Sequence, residues 1–173
     1  MVLLYNQCYG VIKRKGDRLP FRLIFWLVIM LSGLLHVGCT DRTDEFTIPF
    51  APVNYTIDLQ GYDHELNNPL SYKIFTGKDR RLDTDRFGFA GLLVVADATG
   101  NTLFAYDLCC PYEDNKEIIV IPVNDGRAHC PSCGSIFITH YGQGSVATGP
   151  ASQPLQRYRV TLLYQGVFRI GHL

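Results

Sequence analysis

From residue 53 onward, apolar positions recur at every second residue. Val53, Tyr55, Ile57 and Leu59 alternate with Asn54, Thr56 and Asp58, as a half-buried strand requires. Gly61 to Leu70 is rich in turn formers, and Tyr72 to Phe75 reads as a short strand or one helical turn. Lys78 to Arg86 (KDRRLDTDR) is highly charged and is expected to be a solvated loop. Gly91 to Ala96 (GLLVVA) is a continuous apolar strand, and Thr102 to Leu108 returns from it after the turn Asp97 to Asn101. That pair predicts a hairpin. A second hairpin joins Ile118–Ile121 to Arg127–His129 around Asn124-Asp125-Gly126. Ser135–Thr139, Arg157–Leu163 and Val167–Ile170 are further strands, the last two linked by Tyr164-Gln165-Gly166. No stretch of helical length carries a helical period, and no internal repeat is visible. The pattern predicts an all-β domain of short antiparallel strands and hairpin loops.

The first part of the chain follows another rule. Leu23 to Leu35 (LIFWLVIMLSGLL) is a run of 13 residues without charge, short of the ~20 that a spanning helix needs. Lys13, Arg14, Lys15, Arg18 and Arg22 precede it against Asp17 alone. A basic segment followed by a short apolar one resembles a secretory signal. Gly38-Cys39 then resembles a bacterial lipobox, which implies cleavage before Cys39 and lipid attachment to it. The sequence departs from that pattern at His36, where leucine is preferred. Thr40 to Ala51 is polar and acidic and reads as a tether. The expected organisation is a signal peptide over 1–38, the lipidated Cys39 and tether over 39–52, and a domain over 53–173. This places the domain in the cell envelope, on the periplasmic or outer-membrane side and anchored to a membrane through lipid. Cys8 lies ahead of the signal and is given no role.

Charge narrows the partners. The 173 residues carry 16 Lys and Arg against 16 Asp and Glu. The basic excess is confined to the first 22 residues, so the rest is slightly acidic and has no footprint for nucleic acid. A single long apolar run excludes a multi-spanning protein.

Of six cysteines, Cys109, Cys110, Cys130 and Cys133 fall within 25 residues. Cys109 and Cys110 follow one strand, and Cys130-Pro131-Ser132-Cys133-Gly134-Ser135 lies between two others. Two cysteines three apart can turn both sulfurs to one point, a geometry that serves zinc, iron–sulfur clusters and redox disulfides. Cys110-Pro111-Tyr112, 17 residues, then Cys130-Pro131-Ser132-Cys133-Gly134-Ser135 resembles the Rieske iron–sulfur domain, with its C-x-H, about sixteen residues and C-x-x-H-G-S. Gly149-Pro150-Ala151-Ser152-Gln153-Pro154-Leu155 is similar to that family's third loop, which covers the cluster.

The resemblance implies a Rieske-like fold, a 2Fe–2S cluster and electron transfer. It assigns Cys110 and Cys130 to the two family cysteines and Ser135 to the serine that bonds a cluster sulfur. Both histidines are replaced: Tyr112 stands at the first position and Cys133 at the second. The implied ligands are Cys110, Cys130 and Cys133, with Tyr112 or Cys109 as a fourth. Cys109 is the harder choice, because adjacent side chains in a strand point to opposite faces. Three outcomes stay open for these cysteines: a cluster of altered ligation, a cluster-free binding or assembly module crosslinked by disulfides, and a zinc site. His129 is expected on the face opposite Cys130. His140 and His172 read as surface residues, His64 as part of a polar turn, and Tyr141 and Tyr158 as packing. No catalytic set is visible. The chain therefore reads as an electron-transfer protein or redox subunit that docks to an envelope redox or assembly protein, rather than as an enzyme.

Overall fold

The computed structural model describes residues 48–173. The signal segment, Cys8, Cys39 and the tether as far as residue 47 lie outside the described residues. The domain is all-β and antiparallel. In chain order the strands are β1 (Val53–Asp58), β2 (Tyr72–Phe75), β3 (Arg86–Phe87), β4 (Leu92–Ala96), β5 (Leu103–Asp107), β6 (Ile121–Val123), β7 (Arg127–His129), β8 (Ile136–Ile138), β9 (Ser145–Thr148), β10 (Arg157–Tyr164) and β11 (Val167–Gly171). Among the described residues no helix is long and apolar enough to cross a membrane.

The strands form two sheets. The larger runs β2-β4-β5-β10-β11-β1-β3 and the smaller runs β6-β7-β8-β9. In the larger sheet β1 and β2 are far apart in strand order, yet Tyr55 of β1 packs against Phe75 of β2 with ring centroids 4.7 Å apart. The sheet therefore curls over, and its concave side closes on Tyr55, Ile57, Phe75, Leu92, Val94, Tyr158 and Ile170. Each such side chain taken fully from water contributes about 1.5–3 kcal/mol.

β4 is apolar throughout because it is buried on both faces. Leu92, Val94 and Ala96 belong to that first core. Leu93 and Val95 point the other way, and with Tyr106 and Leu108 they meet Val120, Ala128, Phe137 and Leu155 in a second core. Cys110 and Cys130 are part of this second core. The β4–β5 hairpin is thus a wall shared by the aromatic-rich interior and the cysteine-bearing one.

Several sequence expectations are corrected. The charged run 78–86 is not simply a solvated loop. Thr76 caps a short 3-10 turn at Gly77–Asp79, and Arg86–Phe87 pairs with β1. Asp85 within the run is buried. Arg81 lies over the rings of Tyr55 and Tyr62 and bonds both carboxylate oxygens of Asp63, at 3.1 and 2.8 Å. The strand expected at 118–121 begins later, at Ile121, although Ile119 makes an isolated bridge to Cys109. Two histidines expected at the surface are half-buried: His140 meets the Gly126 carbonyl at 2.9 Å, and His172 accepts from the Val53 N–H. Tyr141 does not pack in the core but is 70% exposed, tilted against the His140 ring. Before β1, Ile48 is buried and Phe50 stacks on His172 with centroids 4.3 Å apart.

Candidate metal centre

The site is built from two loops at the cysteine-bearing end. The first follows β5. Asp107, the last residue of β5, is fully buried, and its carboxylate accepts from the N–H groups of Phe89, Ala90 and Cys109 and from the Tyr158 hydroxyl. Four donors on one carboxylate tie β5, the 88–91 segment and β10 together, and fix the point at which Cys109 and Cys110 leave the sheet. The chain then turns sharply: the N–H groups of Glu113 and Asp114 both donate to the Cys110 carbonyl at 3.1 Å. Asp114 takes a positive φ of 47° to do so.

The second loop joins β7 to β8. Cys130 N–H donates to the Ser135 carbonyl at 2.8 Å, and Gly134 N–H returns to the Cys130 carbonyl at 3.0 Å. Gly134 has φ 74°, a conformation that glycine adopts without strain. Gly149 brings a third segment down on this loop. A Cβ at Gly149 would stand 2.4 Å from the Ser135 Cα, so no other residue fits there. Ala151 N–H then donates to Ser135 Oγ at 3.0 Å.

The sulfurs of Cys110, Cys130 and Cys133 all lie within 4.8 Å of one another, and Cys110 Sγ is 3.7 Å from Cys133 Sγ. Cys110 and Cys130 are buried and Cys133 is half-buried. Burial pushes the Cys110 thiol up to about 12, against the lowering effect of the Tyr112 and Glu113 main-chain N–H groups. Burial also acts on Cys133. There the Ser135 hydroxyl and N–H and the neighbouring Cys130 and Cys110 outweigh it, and hold the thiol below its ordinary value. Cys133 Sγ and Ser135 Oγ are hydrogen-bonded at 3.1 Å. As a thiol Cys133 donates, and once ionised it accepts from the hydroxyl. Ser135 Oγ can do this while accepting from Ala151, because a hydroxyl has one proton and two lone pairs.

The remaining candidates are placed differently. Cys109 is fully buried, pushed up to about 12 first by burial and then by Asp107, and its Sγ donates to the Cys110 carbonyl at 3.6 Å. Cys109 is not part of the group of three. Tyr112 is 56% exposed, and its main chain rather than its ring is what touches the Cys110 sulfur. His129 stays outside the group. The four cysteines among the described residues are free thiols. Cys110 and Cys133 are not joined here, since 3.7 Å between their sulfurs is well beyond the ~2.05 Å of an S–S bond. Sequence reasoning missed Asp107, and for Gly149 it missed the close approach to Ser135. Asp107 gives no signal beyond one acid at the end of an apolar strand, and Gly149 only its place in the third loop.

Three soft donors converging from two loops fit a metal that prefers thiolate, such as iron or zinc. They do not fit the two-histidine set of a Rieske cluster, since the group contains no imidazole.

No protein-family model matches the sequence, and no curated protein matches it. Two solved structures are similar to the chain. One is the complex of reduced oxygenase and oxidised ferredoxin in carbazole 1,9a-dioxygenase, at 17% identity and TM-score 0.45 over 69% of this chain and 93% of that one. The other is the ferredoxin of carbazole 1,9a-dioxygenase from Nocardioides aromaticivorans IC177, at 13% identity and TM-score 0.42 over 70% and 99% of the two chains.

Proposed function

We propose that this chain is a membrane-anchored electron-transfer protein with a Rieske-like domain, whose redox centre is iron held by Cys110, Cys130 and Cys133 in place of the usual cysteine and histidine pairs. The observation that carries the reading is the convergence of these three sulfurs within 4.8 Å from two separate loops. Iron held by these sulfurs would supply one-electron transfer. The 2Fe–2S cluster of the Rieske resemblance is the form of iron that the proposal starts from, with altered ligands.

The protein's own groups have definable tasks. With the thiols ionised, the Ser135 hydroxyl would donate to Cys133 Sγ, and the main-chain N–H groups of Tyr112, Glu113 and Ser135 favour the charged sulfurs. Such bonds raise the potential of a sulfur-ligated centre, partly in place of the missing imidazoles. Leu108, Phe137 and Leu155 exclude water from the inner side. Half-buried Cys133, flanked by exposed Pro131 and Ser132, is the outward edge through which a partner would exchange electrons. The chain itself carries out no catalytic step in this reading. Its partner is an envelope redox or assembly protein, reached because Cys39 carries lipid and the residues before Ile48, which packs on the domain, form the tether.

Anaerobically purified protein should contain iron and show a visible absorption that reduction bleaches reversibly. Cys110→Ser should abolish both. Iron-free, colourless protein that Cys110→Ser leaves unchanged would overturn the proposal and favour a cluster-free module. The anchor is tested separately: a fatty-acid analogue should label the wild type and not Cys39→Ser, and equal labelling would remove the lipid from the reading.

A further inference from the structure

The resemblance to the Rieske pattern places Cys110 and Cys133 on different irons of a binuclear cluster. Their sulfurs are nevertheless 3.7 Å apart. Two bridging sulfides stand between the ligands of one iron and those of the other, so sulfurs on different irons are held well apart. On one tetrahedral ion with metal–sulfur bonds of ~2.3 Å, by contrast, two sulfurs stand about 3.8 Å apart. The pair that a binuclear cluster must separate is therefore at the spacing of a single ion. Cys130 Sγ completes the triangle within 4.8 Å.

From this we infer that the centre binds one tetrahedral metal ion through three thiolates and keeps its fourth coordination position open to a small exogenous ligand. The inference rests on the thiolate-metal reading above and narrows it. Among the described residues no fourth donor joins the three sulfurs. Cys109 Sγ is turned to the Cys110 carbonyl and is fully buried, and the Tyr112 side chain is exposed. The inner side of the trio is closed by Leu108, Ala128 and Phe137, which offer no ligand atom. The open corner faces outward, beside half-buried Cys133 and exposed Pro131 and Ser132. Three thiolates around a divalent ion leave one negative charge, so water or a neutral thiol suits that corner better than a further anion. A site with three protein ligands and water is the arrangement that metal proteins use when the ion must meet a ligand from outside.

The test uses the full chain, purified without oxygen and loaded with ferrous iron. One iron per chain, no acid-labile sulfide, and an X-ray absorption shell of three sulfurs and one oxygen or nitrogen are expected. Added 2-mercaptoethanol should replace the light atom with a fourth sulfur and shift the visible spectrum. Cys109→Ser should keep the metal and the count of three sulfurs. Two irons with two sulfides per chain would overturn the single-ion inference and leave electron transfer standing. Four sulfurs without added thiol would overturn the open position. Protein that binds no iron would overturn the metal reading and this inference together.

Discussion

The two cores of this domain differ in what holds them together. The first, inside the curled larger sheet, is made of aromatic and aliphatic side chains from all seven of its strands, with Tyr55 meeting Phe75 and Phe87 at 4.7 and 5.1 Å between centroids. The second is thinner. Its smaller sheet consists of three- and four-residue strands, and two of its buried members are cysteines. Strands this short, in a sheet with many exposed positions, gain little from burial alone. In the proposed reading, a metal ligating both loops would supply the missing constraint, because binding free energy at such a site is also folding free energy. The larger sheet would then act as scaffold, and the smaller one would depend on its chemistry.

The largest expected effect breaks the second region and spares the first. Cys110→Ser, or removal of the metal by a chelator, should abolish metal binding. Amide hydrogen exchange should then rise across β6 to β9 while β1, β10 and β11 keep their protection. Equal loss of protection in both sheets would mean that the two cores are one cooperative unit.

The converse substitution is Phe75→Ala. Phe75 is fully buried, and removing such a ring costs about 3–5 kcal/mol. Thermal melting should shift strongly downward, while the metal content of the protein that remains folded stays that of the wild type. Gly149→Ala sits between the two regions in size. It forces a Cβ to 2.4 Å from the Ser135 Cα at φ 107°, a conformation costing at least ~1–2 kcal/mol before the clash is counted. Its effect should fall on the metal site and leave the β1–β11 pairing intact, as read by hydrogen exchange.

The two regions were also unequally legible in the sequence. The larger sheet shows its period directly: Val53, Tyr55 and Ile57 alternate, and the β4–β5 hairpin lies where the Asp97–Asn101 turn predicts it. What local pattern does not show is contact at a distance. Arg81 and Asp85 look like members of a solvated charge run, but Arg81 pairs with Asp63, 18 residues away, and nothing nearby signals it. In the smaller sheet β9 (SVAT) went unnoticed, since it carries mostly small, exposed residues and is held by its backbone pairing with β8. The thiol group itself was visible from spacing. Which cysteine would stay out of it depended on side-chain direction after β5, and strand alternation gave that for Cys109 against Cys110. The 3.7 Å between the Cys110 and Cys133 sulfurs was not legible, because a distance between sulfurs on two loops is set by tertiary packing.

A finer probe of the second region is Ser135→Ala. It removes the hydroxyl that bonds Cys133 and receives the Ala151 N–H. Groups that support metal ligands in this way are worth roughly 10–100-fold in affinity, so competition with a chelator should show a loss of that size. The melting temperature of the first core should hardly move.

The smallest effect belongs to the first region and is read by pH. Asp63 is fully buried. Burial alone would raise its pKa, but bonds from Arg81, the Asp58 N–H and Lys73 outweigh that and hold it below the usual carboxylate value. A carboxylate with a depressed folded pKa contributes stability above its unfolded pKa of ~3.9. That contribution is lost as pH falls from there through the lower folded value, because the unfolded chain takes up the proton first. Asp63→Asn should therefore cost about 1–2 kcal/mol at pH 7, given charged hydrogen bonds to partly exposed partners. The gap between wild type and variant should close below pH 4. Since Asp63 touches neither cysteine loop, metal affinity at pH 7 should be the same in both proteins. A pH-independent gap would show that Asp63 acts through packing and not through its charge, and a changed metal affinity would show that the first core reaches the thiol site through the shared β4–β5 wall.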